Sequence, residues 1–176
     1  MLNKEIVFRD AYRLLCVFMA DKAIFDITPE AQQVWGGSRR SEEPLFRLHH
    51  QYMEDEINHT LINLAICNRT HMERRLKDHE RPYPNRVCGK WTNDVGAQNE
   101  VKNLSFREAC NKIIHAEKFA ATFLKDGTIT RFFGETEPMY HEMWLYGEHA
   151  RTEWEVNLDV LDFLRATADN FELGLC

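Results

Sequence analysis

The segment from Pro44 to His79 contains no glycine or proline after its first residue. A run of this length predicts one continuous helix, about 50 Å long at 1.5 Å per residue. At 100° per residue, its apolar side chains fall on two arcs roughly 150° apart. The first arc holds Leu48, Tyr52, Ile62 and Ile66, and the second holds Met53, Ile57, Leu61, Leu64, Ala65 and Met72. We therefore expect this helix to lie at the centre of the fold, contacted on both sides by other helices or by a partner subunit.

Three more helices are indicated by their apolar spacing and their capping residues. Residues 3–26 repeat apolar side chains at helical spacing, which predicts an amphipathic helix. Ser105 followed by Glu108 forms a capping box, so a helix is expected to begin there. The segment "DVLDFLRATADNF" returns to helical spacing, with Asp159 as its N-cap.

The carboxyl-terminal part of the chain carries strand signals. Asp126–Gly127 lies between runs rich in Thr, Phe and Ile, a pattern typical of a β-hairpin. The segments "MYHEMWLY" and "TEWEVNL" alternate polar and apolar residues. They predict a small antiparallel meander between Ala120 and Leu158. Residues 81–103 are rich in Pro, Gly and Asn without a sustained period, which indicates a long loop.

These elements predict a mainly α protein of the α+β class. We expect a helical bundle around one long central helix, with a small antiparallel β-meander near the carboxyl terminus. A chain of 176 residues can bury a core of ordinary size without disulfides, so one domain over residues 1–176 is expected. Its helical core would span residues 1–119, and the meander and last helix would span residues 120–176.

The cysteines and the amino-terminal sequence bear on localisation. Five widely spaced cysteines without a C-x-x-C pair favour a reducing compartment. Charges interrupt the first apolar segment, which argues against a signal peptide or a membrane span there. We expect a cytoplasmic protein without membrane contacts.

Charge is distributed unevenly along the chain, whose net charge is −6. Residues 69–118 contain eleven Lys and Arg against seven Asp and Glu, whereas residues 134–172 contain two against ten. A basic segment attracts phosphate backbones through counterion release. A solvated surface is the commoner explanation for a charge run of this size, so both interpretations stay open.

The segment "NKIIHA" places Asn111 and His115 four residues apart on one helix face. On a helix that follows a long helix and a loop, it resembles the HEPN family, helical RNA-cleaving and RNA-binding domains of bacterial toxin and antiviral systems. The resemblance covers chiefly residues 44–120. It implies a homodimer that cleaves RNA without a metal, with His115 moving a proton and an arginine stabilising the charge on phosphorus.

The family's arginine position is occupied by Cys110 in this chain. The nearest arginine on the same helix is Arg107, eight residues before His115 and so about 12 Å away along the helix axis. The catalytic candidates are therefore His115, Asn111 and Arg107. The further cations expected to contact RNA are Lys112, Arg81, Arg86 and Lys90.

Three functions remain open on the sequence. The first is an RNA-directed HEPN-like protein, which would be a ribonuclease with weakened or partner-dependent activity or a noncatalytic RNA binder. The second is a helical partner-binding or regulatory subunit that has lost catalysis. His115 itself is either a catalyst or a core residue hydrogen-bonded to Asn111 or to a backbone carbonyl. The third is a metal-dependent bundle enzyme using Glu56 and His59. A second E-x-x-H pair is absent, so we expect no metal or cofactor.

Overall fold

The computed structural model describes residues 3–27, 44–77, 85–93, 100–125, 128–130 and 139–172. The described residues form four helices and six strands. In chain order these are α1 (Lys4–Ile27), α2 (Pro44–Lys77), β1 (Val87–Asn93), β2 (Lys102–Ser105), α3 (Phe106–Ile114), β3 (Lys118–Lys125), β4 (Thr128–Thr130), β5 (Met139–His149), β6 (Thr152–Asp159) and α4 (Val160–Asn170).

All six strands belong to one sheet with the order β2-β1-β6-β5-β3-β4. Each neighbouring pair is antiparallel. The predicted helical bundle with a small carboxyl-terminal meander is therefore wrong. The protein has a layer of helices packed on a broad antiparallel sheet, because β1 and β2 extend the predicted meander across the β6 edge.

The predicted loop over residues 81–103 is also wrong where it coincides with β1 and the start of β2. β1 pairs with β2 on one side and with β6 on the other. The alternation of polar and apolar residues in β1 is obscured by Gly89, which has a φ of 138°. A register shift between Val87 and Lys90 interrupts it further. Pairing with distant strands thus overrides weak local strand propensity. Residues 81–84 and 94–99 lie outside the described part of the chain.

One face of the sheet carries the core. Trp154, Val156 and Leu158 of β6 are buried there together with Met143 and Leu145 of β5. The helices contribute their own buried side chains to the same cluster. Within the described residues, α1, α3 and α4 pack against strands of the sheet, and α2 packs against these three helices.

The long helix is confirmed, and within one chain its described neighbours pack mainly on one of its two apolar arcs. Its second apolar arc is buried, from Met53 to Met72. In the first arc Leu48, Tyr52 and Ile66 are exposed by 59%, 57% and 46%. In the part of the chain that the structure describes, α2 packs on α1, α3 and α4.

Several local predictions are confirmed. A capping box begins α3 at Ser105, and Asp159 caps α4. β3 and β4 pair from Phe123 with Thr130 to Lys125 with Thr128, as the hairpin predicts. The turn residues Asp126 and Gly127 themselves lie outside the described residues.

Candidate nucleic-acid interface

Helix α3 positions the residues that the sequence singled out. Ser105 and Glu108 fix its start: the Glu108 N–H donates to the Ser105 hydroxyl oxygen at 3.4 Å, and the Ser105 N–H donates to the Glu108 carboxylate at 3.1 Å. The helix ends at His115, whose backbone N–H donates to the Asn111 carbonyl oxygen at 3.1 Å. The boundaries of α3 therefore follow from its capping residues.

His115 is the C-cap of α3 and its side chain is exposed. The structure therefore does not support the interpretation of His115 as a core residue. Asn111 lies one turn earlier, and its side-chain oxygen is buried without a hydrogen-bond partner. No described contact joins the Asn111 side chain to the imidazole of His115, so these residues do not form the hydrogen-bonded pair that a core role requires.

The candidate arginine lies at the other end of the helix. Arg107 is exposed in the first turn of α3, about 12 Å along the axis from His115. Cys110 occupies the family's arginine position and is buried in the core. Burial raises the pKa of its thiol far above the usual range, so Cys110 stays neutral. One copy of the chain thus does not bring Arg107 and His115 together.

Lys112 is held between two indole rings. Its Nζ lies 4.0 Å from the ring centroid of Trp154 and 4.6 Å from that of Trp91. Burial lowers its pKa, and the nearby Glu108 carboxylate partly opposes this effect. Attraction between the ammonium and the faces of the two rings stabilises this position. Lys112 therefore links α3 to β1 and β6.

Gly147 makes room for one of these rings. A Cβ atom at Gly147 would lie 2.3 Å from Cζ2 of Trp154, so the indole rests directly on the β5 backbone. Gly147 and Trp154 are cross-strand partners. Because residue 147 has no side chain, the Trp154 ring can pack against β5 at this position. Lys112 lies on that ring.

The other predicted cations do not gather around His115. Arg86 forms ion pairs with Asp169 at 3.0 Å and with Asp162 at 3.8 Å, which tie it to α4. Lys90 is exposed on β1, where it pairs with Asn157, a residue on the sheet face opposite the helices. Arg81 lies outside the described residues. The described residues that were predicted to bind RNA therefore lie on different surfaces of the protein.

Two further cations lie on elements that contact α3, and the sequence did not single them out as RNA-binding residues. The Nζ of Lys102 is 5.9 Å from the Trp91 ring that also contacts Lys112. Arg69 lies on α2, the helix that packs against α3. The excess of basic residues over residues 69–118 was the only sequence signal for either residue.

We call this region the α2–α3 basic surface. Its members are Arg69, Lys102, Arg107, Lys112 and His115. Arg69 is paired with Glu73 at 3.1 Å, whereas Arg107 and Lys102 are exposed and form no ion pair with any described residue. Two full positive charges on this surface are therefore open to a ligand.

The opposite face of the sheet is acidic. It presents the carboxylates of β5 and β6 that alternate with the buried residues. These residues are Glu142, Glu148, Glu153, Glu155 and Asp159. The carboxylates of β5 and β6 are thus gathered on the sheet face opposite the core, a face that also carries Lys90 of β1.

The residues suggested for a metal site are engaged in other contacts. Glu56 forms an ion pair with Arg13 at 2.7 Å and accepts a hydrogen bond from Thr60 at 3.3 Å. His59 contacts the Asn63 amide nitrogen at 3.3 Å. Within the described ranges, no group of three or more His, Cys, Asp or Glu side chains could hold a metal ion. The metal-enzyme alternative therefore has no structural support.

Comparisons with protein-family models, with curated proteins and with solved structures find no match to this chain. In the described ranges, no helix combines the length and apolarity needed to cross a membrane.

Proposed function

We propose that this protein binds RNA through the α2–α3 basic surface. The observation that carries the proposal is the separation of charge between this surface and the acidic open face of the sheet. RNA is a polyanion, so the field of the protein orients it toward the helix side and away from the carboxylates. This explains how a chain with a net charge of −6 can bind RNA.

The basic surface suits phosphate recognition without a strong sequence preference. Arg107 and Lys102 supply exposed cations whose contacts with phosphates release counterions. Lys112 is half-buried and already engaged with two rings, so we assign it a structural role at the edge of this surface. The interface is predicted to read the backbone of RNA more than its bases.

We propose that a single copy of the chain binds RNA without cleaving it. The HEPN resemblance supports an RNA-directed role for Asn111 and His115, and a role in a bacterial toxin or antiviral system belongs to the same proposal. Cleavage requires an arginine near the histidine, and Arg107 is two helical turns away. Activity would therefore need a cation from a second chain.

A cytoplasmic location is part of this proposal. The described cysteines Cys16, Cys67, Cys88 and Cys110 are free thiols, as expected in a reducing compartment. RNA is available in that compartment.

Binding is tested by fluorescence anisotropy with a labelled single-stranded RNA across a range of salt concentrations. Arg107→Glu and Lys102→Glu are each expected to weaken binding and to reduce the slope of log affinity against log salt by about 0.7, the value for one phosphate contact on a single strand. Arg151→Glu is the matched control, because Arg151 is an exposed cation in the turn between β5 and β6, outside α2, β2 and α3. Equal effects of all three reversals would show nonspecific attraction and contradict the assignment.

Catalysis is tested separately with His115→Ala and the same RNA. We expect no cleavage by the wild-type protein alone, and a melting temperature that changes little because His115 is exposed. Cleavage by the wild type that disappears in His115→Ala, with an unchanged melt, would show that the chain is a ribonuclease without Arg107 beside the histidine.

A further inference from the structure

A half-buried tryptophan lies beside the α2–α3 basic surface. Trp91 of β1 is the cross-strand partner of Lys102, the residue at which β2 begins. Among the described strands, β2 is at the edge of the sheet. Part of the Trp91 indole packs on the core cluster, and the rest is accessible to solvent near this edge. A large aromatic ring is thus presented next to exposed cations.

The two ammonium groups that lie over the Trp91 ring are held differently. Lys112 is half-buried, and its Nζ contacts the Trp154 ring as well as that of Trp91. Lys102 is exposed, and its Nζ is 5.9 Å from the Trp91 centroid, near the limit of a cation–π contact. Lys102 can therefore leave the ring at little cost, because its ammonium is hydrated in either position. Lys112 stays in place.

An indole with cations beside it matches the chemistry of a nucleotide in an unpaired strand. The base is a planar π-system that stacks on an aromatic side chain, and the phosphate is an anion that pairs with the neighbouring cations. A base inside a duplex is already stacked between its neighbours, so proteins contact RNA duplexes through the backbone and the groove instead. Only an unpaired base can use the Trp91 ring.

We propose that Trp91 stacks on an unpaired base of RNA while Lys102 moves from the ring to a phosphate of the same strand. The α2–α3 basic surface then recognises single-stranded RNA by a contact that a duplex cannot make. This inference rests on the proposed RNA binding and adds the form of RNA that is bound. Stacking tolerates any sequence because every base has a π-face, so it agrees with an interface that reads mainly the backbone.

The competing role for Trp91 is purely structural. In that case the ring only covers the core and holds Lys112 in position. Removing it would then disturb the whole basic surface and weaken the binding of every polyanion alike. Stacking predicts instead a loss that is confined to RNA with unpaired bases, so the two roles differ in a measurable way.

The stacking contact is tested by fluorescence anisotropy with a labelled single-stranded oligouridylate and with an RNA duplex of the same length. Trp91→Leu should weaken single-strand binding by about 5- to 150-fold, the range for loss of one base-stacking aromatic. The slope of log affinity against log salt should not change, because no phosphate contact is lost, whereas Lys102→Glu should reduce it. Duplex binding by Trp91→Leu should equal that of wild type. Trp91→Phe keeps a ring and should recover part of the single-strand affinity.

Trp144→Leu is the matched control. Trp144 of β5 is also half-buried, but it pairs with Asn157 on the sheet face opposite the core, so its loss should leave both affinities unchanged. Equal weakening of single-strand and duplex binding in Trp91→Leu would refute stacking in favour of the structural role. Unchanged binding in Trp91→Leu, with binding still sensitive to Lys102→Glu and Arg107→Glu, would overturn stacking alone. A wild type that binds neither RNA would overturn the proposed function as well.

Discussion

His71 shows how one side chain on α2 couples packing to protonation. Its ring stacks on Phe171 with centroids 4.5 Å apart. Burial lowers its pKa below the ordinary value of 6.5, and the charges of Arg75 and Lys4 lower it further. The folded protein therefore holds this imidazole neutral at a pH where the unfolded chain has begun to bind a proton.

We predict that the free energy of unfolding falls as pH is lowered through 6.5, because the unfolded state then binds more protons at His71. His71→Gln should remove part of this dependence, since glutamine does not titrate. Asn63→Gln on the same helix, which changes no titrating group, is the control and should leave the pH dependence unchanged. Urea denaturation from neutral to mildly acidic pH measures the effect. If His71→Gln had the same pH dependence of unfolding as the wild type, the assigned role of His71 would be wrong.

The sequence predicted the helix α3 correctly, but it did not predict which residues surround it. His115, Asn111 and Lys112 lie on the predicted helix, but Trp91 and Trp154 reach Lys112 from strands that are distant in sequence. Periodicity reports which residues share a face of one element. It carries no information about which element lies against that face.

Among the elements, β1 departs most from its predicted conformation. Its backbone passes so close to β6 that a Cβ atom at Gly89 would lie 2.0 Å from the Asn157 carbonyl oxygen. The φ of 138° at Gly89 is also one that other residues rarely adopt. The glycine that made this segment resemble a loop is thus the residue that lets the strand join the sheet.

We predict that Gly89→Ala destabilises the protein by at least about 1–3 kcal/mol, through backbone strain and overpacking together. Thr92→Ala on the same strand is the control, because Thr92 is half-exposed and removal of its side chain creates no clash. Chemical denaturation of both variants measures the difference. If Gly89→Ala were as stable as Thr92→Ala, this close approach of β1 to β6 would be wrong.

At the scale of the whole molecule, a buried polar network joins α2 to α4. The Asn170 amide donates to the Asn68 side-chain oxygen at 3.0 Å, across 102 residues of sequence. The Asn68 amide donates to the Thr167 hydroxyl at 2.9 Å, and Arg75 donates to the Asn170 carbonyl at 3.1 Å. These bonds hold the carboxyl-terminal helix against the long helix within the core.

We predict that Asn68→Ala lowers the free energy of unfolding by about 1–3 kcal/mol, because it leaves the buried Asn170 amide without its main partner. Asn63→Ala, on the same helix at a partly exposed position, should stay within about 0.5 kcal/mol of wild type. Thermal or urea unfolding distinguishes the two. Equal effects would show that the network adds nothing to stability.

The sequence by itself determined the four helices, the caps at Ser105 and Asp159, and the inward face of β6. These depend on the periodicity of neighbouring residues and on side chains that bond to the nearest backbone, so local information suffices. The tertiary structure decided that β1 and β2 join the sheet, that most of the first arc of α2 is exposed in the single chain, and that the carboxylates of β5 and β6 share the sheet face opposite the core. Strand pairing and burial depend on residues far apart in sequence, whose meeting no local pattern encodes.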